Sequence, residues 1–122
     1  MKKLQNDFTT PEQSKRLLEL GVPEDSANYC YECSLIGGEK YYARELLDDT
    51  TFSKYKRAYD SPCVDIIPCW SVGRLNEIFK ICSDIHIEIY DLDLEGTQIE
   101  RAIQAFEVYA KYNWLDFSKL ED

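Results

Sequence analysis

Cys30 and Cys33 have the C-x-x-C spacing that lets two thiolates reach one zinc ion, and Cys63, Cys69 and His86 are the further ligands a tetrahedral site would need. The pattern is incomplete. A second knuckle needs another close pair, whereas five residues separate Cys63 from Cys69. Cys30 and Cys33 fall in an apolar, aromatic run that reads as a strand, where residues three apart point to opposite faces. A thioredoxin-type role wants the motif at a helix amino terminus, which lowers a thiol pKa, and a strand does not supply that. The cysteines therefore read as small buried core residues. No metal and no cofactor is expected.

The run Asp91-Leu92-Asp93-Leu94-Glu95-Gly96 looks like the start of an EF-hand loop, with alternate oxygen ligands and a glycine turn. Its twelfth position is Ala102 instead of a bidentate glutamate, and a strand rather than a helix precedes it. What remains is a carboxylate cluster, Asp91, Asp93 and Glu95, able to hold Mg²⁺ only beside a pocket that admits a substrate. The same cluster sits in a longer acidic stretch: Ser83 to Glu100 holds Asp84, Glu88, Asp91, Asp93, Glu95 and Glu100 and no lysine or arginine. Like charges so close repel, so the stretch is expected to lie open to solvent or to meet a basic partner. His86 falls on the polar side of a strand pattern. No phosphate-binding loop, dinucleotide fingerprint or nucleophile motif appears, and no catalytic residue is assigned.

Fourteen basic against twenty-three acidic residues give a net charge of −9, which disfavours nucleic acid and anionic membranes over most of the surface. Lys54, Lys56 and Arg57, beside Tyr55 and Tyr59, form a local basic exception. Tyr31, Tyr41 and Tyr42 are expected to be exposed and would suit a protein interface, though they are equally ordinary strand residues. Five cysteines, an odd number without an export signal, point to reduced thiols and a cytoplasmic setting. Charged residues interrupt every apolar segment, so no membrane span is expected.

At 122 residues the chain fits one domain, 1–122. Thr10, Pro11 and Gln13 make a capping box with proline at the first position, and Gly21 closes it, which predicts a helix over 11–20. Tyr29 to Ala43, divided by Gly37-Gly38, predicts a β-hairpin with a two-residue loop. Residues 44–62 read as mostly irregular, with a cap-like Asp48-Asp49-Thr50-Thr51 before a short amphipathic stretch. A short strand from Cys63 is expected to end at Pro68, which cannot donate to a ladder. Ser71 opens a helix over 72–82, with Trp70 stapled onto Leu75. Ile85, Ile87 and Ile89 alternate with polar residues as a strand over 84–91. Thr97 and Glu100 form a capping box for a helix over 98–112, after which Trp114 folds back on Tyr109. The expected class is α+β, a small antiparallel sheet with one face covered by three helices.

Two stretches, Thr10 to Pro23 and Ile67 to Leu75, resemble a family of small uncharacterised proteins carried by phages, prophages and other mobile elements of gut anaerobes. The shared patterns are a "TPEQSKxLLxLG" opening and a "P-A-W/F-S/T-L" helix entry, in which Cys69 and Val72 here replace the small residue and the leucine. They cover about a third of the chain. The resemblance implies a genomic setting and supplies no catalytic residue. The expected function is accordingly a non-catalytic accessory or protein-binding domain of a mobile element, with Asp91, Asp93, Glu95, Tyr31, Tyr41 and Tyr42 as binding residues and a partner with a basic surface. The alternatives are a small metal-dependent hydrolase using Asp91, Asp93 and Glu95, and an acidic nucleic-acid mimic that inhibits a host nuclease.

Overall fold

A computed structural model describes residues 8–36, 40–46, 50–59, 61–83 and 94–120. In chain order the elements are α1 (Pro11–Leu20), β1 (Tyr29–Ser34), β2 (Lys40–Glu45), α2 (Phe52–Tyr59), β3 (Val64–Cys69), α3 (Val72–Cys82) and α4 (Gln98–Lys111), with short 3-10 turns at Glu24–Ser26 and Phe117–Leu120. The fold is α+β. The helix boundaries follow from local chemistry. At α1 the Thr10 hydroxyl accepts from the Gln13 amide, Gln13 Oε1 accepts from the Thr10 amide, and Gly21 takes φ 103° beyond the last turn. Ser71 caps α3 through the Arg74 amide at 3.1 Å, and Thr97 caps α4 through the Glu100 amide at 3.1 Å. Only half of the expected box at α4 is used in the usual way: the Glu100 carboxylate meets Gln13 Nε2 at 2.5 Å and so ties the amino-terminal turns of α1 and α4 together. Past α4, Asn113 adopts φ 60° and Trp114 packs edge-on against Tyr109 at 5.2 Å.

β1 is the central strand of an antiparallel sheet of order β2-β1-β3. A two-residue turn at Gly37-Gly38 would pair Ser34 with Tyr41. The register instead pairs Ser34 with Lys40 and Glu32 with Tyr42, one residue away, which exchanges the two faces of β2 relative to that expectation. The glycines themselves lie outside the described residues. So do the predicted strand over 84–91, His86, Asp91 and Asp93.

Two further expectations are corrected. The region read as irregular contains the end of β2 and all of α2, whose first turn is fixed by Thr51 Oγ1 accepting from the Lys54 amide and by Asp25 Oδ1 accepting from the Ser53 amide at 2.8 Å. β3 runs through Pro68 to Cys69. Leu35 N–H donates to the Cys63 carbonyl at 2.9 Å, so alternation along β3 turns Val64, Ile66 and Pro68 away from β1, and the missing N–H of Pro68 breaks no ladder bond. Helices α1, α3 and α4 enclose a core around Trp70, Leu75, Phe79, Ile103 and Phe106 that, among the described residues, holds no residue of β1, β2 or β3. Helix α2 covers the sheet face carrying Cys30 and Ile66 through Phe52, with Leu46 at the end of β2 beside it.

Candidate functional site

The sequence-predicted residues do not converge. Tyr31 is half-buried, its hydroxyl donating to the Thr9 carbonyl at 2.8 Å, because β1 is the central strand and Thr9 packs over it; its expected exposure is therefore corrected. Tyr41 stands on the same face, edge-on to Tyr31 at 6.1 Å, whereas Tyr42 projects from the opposite face. Both are exposed. Glu95 is exposed and contributes its carbonyl to Gln104 Nε2 at 3.1 Å. Cys30 faces α2 and Cys33 the other side of the sheet, as strand alternation requires, so they do not point at a common ion. Among the described residues no group of three or more His, Cys, Asp or Glu side chains could hold a metal, and no helix is long and apolar enough to cross a membrane.

The residues that do converge lie between β2 and α2, around an open groove of about 700 Å³. Its sheet side is Arg44 and Glu45, and its helix side is Lys54, Tyr55, Ala58 and Tyr59. Helical spacing places Lys54 with Ala58 and Tyr55 with Tyr59 on adjacent strips of α2, and the two tyrosine rings lie 4.6 Å apart. Phe52, 1% exposed, is inserted under the helix against Cys30 and Ile66 and fixes its height above the sheet.

A short polar chain ties the groove together. The Tyr55 hydroxyl donates to Glu32 Oε2, and Arg44 Nε forms an ion pair with Glu32 Oε1 at 3.1 Å. Glu32 is held below the ordinary carboxylate range, chiefly by the Tyr55 hydrogen bond, with Arg44 helping against the cost of burial. Tyr55 is pushed above the ordinary phenol value by burial and by donating to that carboxylate. Burial and the charge of Glu32 push the neighbouring Cys30 thiol up to about 11. Near neutral pH each of these groups therefore rests in a single protonation state: anionic glutamate, neutral phenol, neutral thiol. The arrangement fixes α2 on the sheet and presents a surface; it does not poise a proton.

Two other surfaces bear comparison. A groove of about 470 Å³ runs along β3, between Leu18 and Lys15 of α1 and Phe52 and Lys56 of α2. Beyond α4, Tyr112 stacks on Trp114 at 5.0 Å, with Lys111 Nζ 5.8 Å from the Tyr112 ring centre. The sequence had marked Lys54, Tyr55 and Tyr59 as a local basic, aromatic cluster. Glu32 and Arg44 carried no such signal, because they meet only through the β1–β2 register.

Comparison with protein-family models, with curated proteins and with solved structures returns no match.

Proposed function

We propose that the chain is a non-catalytic protein-binding domain that engages its partner through the groove between β2 and α2. One observation carries this reading. The groove exposes aromatic and cationic side chains, Tyr59 and Lys54, on a rigid helix, while the ionisable groups beside it are engaged with one another and held away from titration near neutral pH. A surface of that kind recognises without reacting. The setting proposed for it, an accessory protein of a phage or mobile element, rests on the resemblance of Thr10 to Pro23 and Ile67 to Leu75. A cytoplasmic location is supported by five free thiols, which favour a reducing compartment.

The reading is tested by selection from a random peptide display library against the folded chain, with a Lys54→Glu/Tyr59→Ser variant as counter-target. Peptides enriched on the native chain and lost on the variant are expected. Enrichment that is indifferent to both substitutions, or no enrichment at all, would remove the groove as the binding site.

A further inference from the structure

We infer that the outer edge of β2 accepts an extended, acidic segment of a partner protein as an added strand, with alternate side chains of that segment resting on the α2 wall. This rests on the reading of the groove as a binding site and names its ligand.

The backbone geometry comes first. Leu46 N–H donates to the Asn28 carbonyl at 2.9 Å, and the β1–β2 register continues from that pair through Cys30/Arg44 and Glu32/Tyr42. Hydrogen-bonded and non-bonded pairs alternate in an antiparallel ladder, so Tyr41, Ala43 and Glu45 direct N–H and C=O away from β1. Ala43 and Glu45 both line the groove. Among the described residues β1 is the sole strand neighbour of β2. An extended peptide matches such a row of main-chain groups, and the adjacent wall then reads its side chains at every second position.

The two edges of the sheet differ in a way that selects β2. On β3 the outward positions are Val64, Ile66 and Pro68. Pro68 has no N–H, and the Val64 N–H already donates to the Ser61 carbonyl at 3.2 Å, so one outward donor, that of Ile66, is left. That edge is blunted in the manner of a strand protected against pairing. On β2 neither Ala43 nor Glu45 is a proline, and among the described residues neither outward N–H has an acceptor.

Charge then selects the class of peptide. Helix α2 carries Lys54, Lys56 and Arg57 and no carboxylate, in a chain of net charge −9. Lys54 is exposed on the groove wall, and Arg57 follows one turn later toward solvent. On the sheet side Arg44 is matched by Glu32, and Glu45, in register with Tyr29, turns its carboxylate to the sheet face opposite α2. The wall thus offers a cationic rim above the apolar faces of Ala58 and Tyr59. A strand that alternates apolar and acidic side chains complements it, with its carboxylates turned to the α2 wall and Lys54 and its apolar side chains turned to the opposite sheet face, beside the exposed Tyr41.

The probes are an acetylated, amidated peptide of four Val-Glu repeats, its Val-Lys counterpart, and two forms of the first, N-methylated at every valine or at every glutamate. Only one set of peptide N–H groups faces β2, so one methylated form should bind about tenfold more weakly while the other holds its affinity. Binding is read by amide shifts in the isotope-labelled chain. The Val-Lys peptide should bind more weakly than Val-Glu, and Ala43→Pro, which copies on β2 what Pro68 does on β3, should abolish binding with little loss of stability. Equal affinity of the two methylated forms, or a Val-Lys peptide as tight as Val-Glu, would overturn strand addition by an acidic segment. So would a doubled mass by sedimentation that Ala43→Pro abolishes, because the edge would then be a contact between copies of the chain. If display-selected peptides shift Ala58 and Tyr59 while Val-Glu does not, the groove stands and this ligand falls; if no peptide shifts them, both fall.

Discussion

Arg44 Nε lies 3.1 Å from Glu32 Oε1, although the two residues sit on different strands and are not register partners: Glu32 faces Tyr42, and Arg44 faces Cys30. They meet on the diagonal, on the sheet face that α2 covers. With the Tyr55 hydroxyl on the other carboxylate oxygen, this contact links β1, β2 and α2 at one carboxylate.

Replacing that carboxylate should loosen the helix. Glu32→Gln removes a charge-assisted acceptor from both Tyr55 and Arg44 and is expected to cost about 1–2 kcal/mol at neutral pH, by denaturant unfolding. The pH dependence has a definite sign. The folded-state pKa of Glu32 is depressed, so its contribution is complete above the unfolded glutamate value of about 4.3 and is lost as pH falls through the lower folded value. The gap between native and variant stability should therefore close on acidification. A gap unchanged down to strongly acidic pH would mean that the carboxylate is not engaged as described.

The cysteines make a kinetic prediction. Cys63 is exposed, whereas Cys30, Cys33, Cys69 and Cys82 are buried. Burial is the main cause that pushes Cys30, Cys69 and Cys82 up to about 11. Native labelling with a maleimide should modify Cys63 rapidly and the other four slowly, and all five should react after unfolding. Rapid native labelling of Cys30 would show that α2 does not cover that face; fewer than five after unfolding would contradict free thiols.

Thr97 gives a test of the local reading of α4. Its hydroxyl accepts from the Glu100 amide at 3.1 Å at an exposed helix start. Thr97→Ala should destabilise by about 1 kcal/mol. A loss indistinguishable from zero would place the first turn of α4 elsewhere.

What the sequence made legible was the structure set by neighbours in the chain. The boundaries of α1 and α3 agree with expectation to the residue, because Thr10, Gly21 and Ser71 act within one turn of the ends they define. Helix α4 ends at Lys111, one residue before the expected 112. What stayed hidden depends on contacts across the fold. Helix α2 is short and rich in lysine and arginine, and it is held by Asp25 from another segment and by its own Phe52 buried against the sheet. Pro68 looked like a strand terminus because only the ladder phase shows that its nitrogen faces outward. The candidate site was half legible: Lys54, Tyr55 and Tyr59 are close in sequence, while Glu32 and Arg44 join them through a register one residue away from the one a two-residue glycine turn implies.

The groove between β2 and α2 is the central claim, and amide-shift mapping with the tightest display-selected peptide tests it most directly. The account predicts that the largest shifts fall at Ala43, Glu45, Lys54, Ala58 and Tyr59, on both walls of the groove. Shifts gathered instead at Tyr112 and Trp114, the exposed aromatic pair beyond α4, would contradict it and move the binding surface to the opposite part of the sequence.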